Sequence, residues 1–290
     1  LYDGDAEDLY AFCDEVAAKA DSELRLFINS LDNVRIADVA DEKLSVSELR
    51  TRGAGLFYEC TIPDLERCLS VMTRARRLSP DDGMALSMWA VAVNMLISIR
   101  FELPDENTVA ELTMANDRAV ELMPQSDFVF FTRCLFRASI LRDPERTMAD
   151  ARRAYTLNPN YPQARIALGY GHVLVGDFSR SVVEFEAGTQ QAKDTYWAYR
   201  VFHKAVAQFC GEDHVGAIAT LRDIIDLKPS VRGFRKLLIL SLRAMGDDAK
   251  ADQEEALARE LPDEPNFFVQ EPPLPDSHIW LRDKLAPGSG

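Results

Sequence analysis

Four histidines (His172, His203, His214, His278) and five cysteines (Cys13, Cys60, Cys68, Cys134, Cys210) are the side chains best suited to metal binding or nucleophilic chemistry in this sequence. A zinc site gathers three or four such ligands through short spacings such as C-x-x-C. No histidine pair stands four apart, no cysteine pair has the C-x-x-C spacing, and the histidines fall in separate segments. The run Gly169-Tyr-Gly-His looks like a piece of a phosphate-cradling loop. Such a loop works where a strand meets a helix N-terminus, and this one lies inside a helical pattern. No serine stands on a strand-turn-helix elbow with a histidine and an acid to activate it. Acidic side chains are abundant but dispersed, as on a solvated face. The residues therefore predict no enzyme activity, no metal and no cofactor. The chemistry left is recognition by apolar and aromatic side chains at helical spacing.

Those side chains need elements to hold them. From Tyr161 to Thr195 the chain reads as a helix, a Gly176-Asp177 turn and a second helix. Leu168-Gly169 lies on the first helix; Ser181 and Phe185 lie on the second, four residues apart. Gly169 and Ser181 would let two antiparallel helices approach, while Leu168, Phe178 and Phe185 fill the space between them. The same ending recurs as Arg-Leu-Ser-Pro80, Glu-Leu-Met-Pro124, Thr-Leu-Asn-Pro159 and Asp-Leu-Lys-Pro229. A residue before proline is pushed out of the helical region, so each proline marks a helix end. Pro124 and Pro159 are 35 residues apart; Pro80 and Pro124 are 44 apart, which implies an insertion near Phe101 to Thr108. Further turns stand at Cys210-Gly-Glu-Asp213 and Met245-Gly-Asp-Asp248.

This pattern of Leu-Gly, then a small residue and an aromatic, at a period of about 34 residues, resembles the tetratricopeptide repeat. Arg165 and His172 depart from it, and Lys193 stands where a proline often ends the second helix. The resemblance implies an all-α, right-handed superhelical solenoid of about six helix-turn-helix units, at approximately 46–82, 83–126, 127–161, 162–195, 198–231 and 232–265. An N-terminal connecting helix and linker (1–45) precede them. A Pro-rich tail with a short capping helix (266–290) follows, because a terminal repeat needs covering. It also implies that the first helices line a concave groove for a protein or peptide. By repeat position the groove holds Phe57, Val91, Asn94, Thr132, Phe136, Ile166, Tyr170, Phe202 and Phe209, with Lys236 and Arg243 toward one end. The Lys-Asn pair with which some relatives clamp a C-terminal carboxylate is absent. A helix or an extended apolar segment is the better ligand. A groove closed into an aromatic pocket would instead suit a small-molecule signal.

At the N-terminal end, Asp8-Leu-Tyr-Ala-Phe-Cys-Asp-Glu-Val-Ala, Ser22-Glu-Leu-Arg and Leu44-Ser-Val-Ser-Glu-Leu-Arg-Thr-Arg-Gly resemble a junction in bacterial signalling proteins. Thr61-Ile-Pro-Asp-Leu-Glu-Arg-Cys-Leu and Ala75-Arg-Arg-Leu-Ser-Pro-Asp-Asp are similar to the start of their repeats. In those proteins a class III adenylate/guanylate cyclase or a winged-helix output domain is followed by a TolB-like region and then by tetratricopeptide repeats. The resemblance implies a regulatory, C-terminal part of such a protein.

The net charge of −14 opposes binding to nucleic acid or to an anionic membrane, which need Lys and Arg to replace counterions. Scattered, unpaired cysteines suit a reducing compartment, so the expected location is cytoplasmic. The longest apolar run, Met88 to Ile99, is too short to span a bilayer. From Asp5 to Leu31, apolar residues at steps of three and four predict a long helix that packs on the first repeat or pairs with its twin in a homodimer. Asp32 to Ser45 reads as a connector. Phe267, Phe268, Ile279 and Trp280 are too apolar to stay in water and are expected on the last repeat or in the groove, with Ser277 capping the last helix. The chain starts on Leu1 and ends Pro-Gly-Ser-Gly, which reads as a piece of a longer protein with a linker remnant.

Overall fold

The computed structural model describes residues 34–59, 61–190, 197–261 and 271–286. The expected helix from Asp5 to Leu31, and Phe267 and Phe268, lie outside the described residues. Twelve helices form six antiparallel pairs: α1 (Val46–Glu59) with α2 (Ile62–Leu78), α3 (Gly83–Arg100) with α4 (Glu106–Leu122), and α5 (Asp127–Phe136) with α6 (Pro144–Leu157). Then come α7 (Pro162–Leu174) with α8 (Phe178–Gln190), α9 (Trp197–Cys210) with α10 (His214–Leu227), and α11 (Arg232–Ala244) with α12 (Asp248–Glu260). A short α13 (Trp280–Leu285) follows. Each helix packs on its sequence neighbours, and no strand occurs among the described residues. The fold is a helical-repeat solenoid.

The helix ends follow from local chemistry. Ser79, Met123, Asn158 and Lys228, each the residue before a proline, leave the helical region at the ends of α2, α4, α6 and α10. Six helix starts are capped by an aspartate, α2 by Thr61 and α5 by Ser126. Asp82, Asp105, Asp143, Asp177, Asp213 and Asp247 accept from the amide three residues on. The first repeat opens on a capping box, in which Ser45 and Glu48 bond each other's backbone amide. Before four of these aspartates the chain turns through the left-handed region, at Arg142 (φ 50°), Gly176 (φ 76°), Glu212 (φ 63°) and Gly246 (φ 75°).

The pairing inside repeat 4 shows why the small residues stand where they do. A Cβ on Gly169 would lie 2.7 Å from the Phe185 ring, and Ser181 and Phe185 are fully buried. In repeat 3 the pair is held by charge: Asp150 on α6 is almost wholly buried and accepts from both Arg133 (2.8 Å) and Arg137 (2.6 Å) on and just beyond α5. The last turn of that first helix, Arg137–Leu141, widens into a π-helical turn before Arg142. Among the described residues, α3 is long and apolar enough to cross a membrane, yet 83% of it is buried between its neighbours, so it is the core helix here.

Candidate functional site

The first helices surround a recess. Phe57 of α1, Met95 of α3, Phe128, Phe131 and Leu135 of α5, Tyr161, Gln163, Ile166 and Tyr170 on or just before α7, and Tyr199, Arg200 and His203 of α9 line it. Five successive repeats therefore contribute to one wall. Its volume is about 60 Å³, and one side is open. The rings lock one another edge to face: Tyr161 on Phe131 at 6.0 Å, and Tyr170 on Phe185 at 5.4 Å and on His203 at 5.3 Å. Tyr170 Oη and His203 Nδ1 share a hydrogen bond of 2.8 Å. Burial pushes the Tyr170 phenol far above its ordinary value, so it stays neutral and acts as a hydrogen-bonding group, not as a base. The Gln163 side-chain oxygen is buried in the wall with no hydrogen-bond partner in the chain. The recess is thus apolar and aromatic, with a few polar groups gathered on α7 and α9.

Phe57, Ile166 and Tyr170 of the expected groove lie in this wall. The others do not. Val91, Asn94, Thr132, Phe136 and Phe202 are buried in the packing between helices; Thr132 bonds Ser87, and Phe202 stacks on Phe234 at 5.3 Å. On α3, α5 and α9 the lining residues are their immediate neighbours: Met95 beside Asn94, Phe131 and Leu135 beside Thr132 and Phe136, His203 beside Phe202. A step of one residue turns a helix by about 100°, which exchanges the groove face for the interhelical face. Phe136 and Phe202 therefore pack between helices, apart from Tyr170 in the wall. Arg243 is exposed and pairs with Asp252 (3.4 Å) and Glu255 (2.6 Å) of its own repeat. Phe209 and Lys236 meet the C-terminal tail: Trp280 lies edge-on to Phe209 at 6.2 Å, and Lys236 donates to the Ala286 carbonyl. Phe128 and Phe131, three apart, and Tyr199 and His203, four apart, carried a helical signal that repeat numbering passed over.

The tail differs from expectation in detail. Ser277 bonds the adjacent His278 and caps nothing, and α13 starts at Trp280. Leu274, Leu281 and Leu285 are the buried anchors, whereas Trp280 remains 46% exposed.

Burial pushes the thiols of Cys68 and Cys210 up to about 12 and that of Cys134 well above its usual value, so all three stay protonated and unreactive. Among the described residues, no three His, Cys, Asp or Glu side chains gather where they could hold a metal ion.

No family model matches the sequence. No curated protein matches it either. Solved structures do. Human IFIT1, as a dimer with m7Gppp-AAAA, aligns with a TM-score of 0.64 at 12% identity over 83% of this chain and 56% of its own. Cut9 in the APC/C hetero-tetramer Cut9-Hcn1 aligns at 0.60 and 13% identity over 83% of this chain and 43% of that one. Yeast Tom70 aligns at 0.56 and 14% identity over 86% and 50%. This chain thus spans roughly half the length of each. Identities this low establish the shared helical-repeat fold.

Proposed function

We propose that this chain is a protein-interaction and regulatory module that holds a helical or extended apolar segment of a partner against the recess. The observation that carries this reading is the size and make-up of the recess. An open recess of about 60 Å³ takes one inserted side chain. Pockets for small molecules generally run to about 300–1,000 Å³. An anchor side chain seated in an aromatic pocket, with drier contacts around it, is how protein interfaces concentrate their affinity. The rings of Phe131, Tyr161 and Tyr170 supply the apolar contact, and Gln163 supplies an acceptor for a partner N–H. Following the resemblance of its N-terminal segments, the chain would serve as the partner-binding part of a larger bacterial signalling protein in the cytoplasm. The polar group at Tyr170 and His203 also supports a second reading, a sensor for a small aromatic ligand.

The two readings separate experimentally. Partners captured by the chain from a bacterial lysate should bind Tyr170→Ala or Phe131→Ala about thirtyfold more weakly, a loss of about 2 kcal/mol. Val183→Ala, at an exposed position on the second-helix face, should leave affinity unchanged. Each variant's melting curve shows whether it is folded. A folded Tyr170→Ala that keeps every partner at full strength ends the groove reading. A rise in melting temperature with a small aromatic compound, abolished by the same substitution, would favour the sensor.

A further inference from the structure

Residues 271–286 do not sit on the last repeat alone. They reach the C-terminal ends of the first helices of repeats 2, 3 and 5, the start of α8 in repeat 4, and Lys236 in repeat 6. The Glu271 amide donates to the Ser98 carbonyl near the end of α3 (2.9 Å). Its carboxylate accepts from Arg142, just beyond α5 (3.4 Å), and from Arg282 of the tail itself (2.7 Å). Arg282 also donates to the carbonyl of Phe101, 181 residues earlier. Farther along, His278 meets the Phe178 ring at 5.3 Å and Trp280 meets Phe209 at 6.2 Å. Leu274, Leu281 and Leu285 enter the main apolar cluster of the solenoid.

Several features mark this segment as a docked peptide and not as a finishing turn of the last repeat. Glu271-Pro-Pro-Leu-Pro275 has no helix or strand, and its first four residues are buried. Prolines preset an extended backbone, so such a segment loses little entropy on docking, and this is how proline-rich ligands bind in trans. The track is also shaped at a cost. Arg142 stands at the left-handed position that Gly176 and Gly246 fill in repeats 4 and 6. A side chain there strains the backbone, and the ion pair with Glu271 is what Arg142 makes in return. Phe101, also left-handed, offers its carbonyl to Arg282. Two of the three left-handed non-glycine residues among those described thus lie under the tail. Docking works against a cost as well: burial raises the Glu271 carboxyl even with two arginines beside it.

We propose that this track, made by the ends of α3, α5 and α9 with the start of α8, is an exchangeable peptide site. The tail is its tethered occupant, and in trans the track takes a segment of the same chemistry: an acidic residue, then prolines and a leucine in extended chain, then a short turn carrying leucines. The track lies at helix ends, apart from the recess, so it stands whether or not the recess reading holds. Tethering keeps the tail at an effective concentration in the millimolar range, so a free segment competes only when the tail is weakened or the segment is abundant.

The test uses the full chain with Leu274→Asp and Leu281→Asp, which release the tail and leave the track intact. A fluorescent peptide of residues 271–286 should bind this variant at least tenfold more tightly than the unaltered chain. A peptide with the same two aspartates should bind neither. Tyr170→Ala in the released variant should not change peptide binding. A released variant that melts cooperatively with unchanged helix content, yet binds no peptide, overturns the proposal. Concentration-dependent dimers of the unaltered chain that the peptide dissolves would assign the track to a second copy and overturn the partner in trans. Should the double variant not fold, amide exchange in the unaltered chain decides. Excess peptide should speed exchange at residues 271–285 about tenfold without touching the repeat helices. Tail amides that exchange only together with those helices, with or without peptide, overturn it.

Discussion

The recess and the tail track are built from the same first helices, and they differ in what those helices present. The recess takes side chains along the helices, rings packed on rings; Tyr170 is wedged between Phe185 and His203. The track takes what helix ends offer: the Ser98 and Phe101 carbonyls at the end of α3, and Arg142 at a left-handed turn, paired with Glu271. One surface is rigid and presents rings. The other presents backbone acceptors and one cation, and the chain's own tail already satisfies them. The contrast predicts that the recess responds to substitution as core does, and the track as an interface does.

The largest effect tests that contrast directly. Phe185→Ala, in the interior of repeat 4, should cost about 3–5 kcal/mol in a denaturant titration. Leu274→Ala removes an equally buried side chain from the tail, but its cost is capped by the free energy of docking the tail, because beyond that the tail detaches locally. Equal losses would mean that the tail is core. Next comes Tyr170→Phe, which leaves the buried His203 Nδ1 without its phenol. A loss of about 1–3 kcal/mol is expected in the same titration. A loss near zero would show the polar centre of the recess to be free to rearrange.

Arg142→Gly should split in sign. Relief of left-handed strain should raise global stability by about 1 kcal/mol, while tail amides exchange faster because Glu271 has lost an arginine. Slower tail exchange would break the link between strain and clasp. The smallest effect concerns Lys236, which reaches the Ala286 carbonyl. Burial, with Arg232 nearby, lowers its ammonium from 10.5 to about 8. The folded chain binds that proton less tightly than the unfolded one. Its cost is therefore present below about pH 8 and disappears as pH rises toward 10.5, so this residue makes stability rise across that window. Lys236→Met should abolish the rise in melts taken across the range.

Six repeats were legible in the chain because their signals are local. A proline after most second helices, an aspartate cap in most turns and a small residue opposite a ring in repeat 4 act within a few residues. Gly169 could be assigned to a close helix approach from the pattern alone, and its clearance from Phe185 bears that out. The face of each first helix was not legible to one residue. Both Phe131 and Thr132, or His203 and Phe202, suit a repeat position, and the turn of about 100° between them is set by neighbouring repeats. The tail was legible only as apolar and proline-rich. Its meeting with Phe101 and Arg142 joins residues up to 181 apart, a contact that no local preference encodes. The sequence by itself determined the helices and their pairing, because capping, proline and steric size operate at short range. The tertiary structure alone decided which rings form the recess and where the tail lies, because both depend on how successive pairs rotate against one another when their apolar faces close.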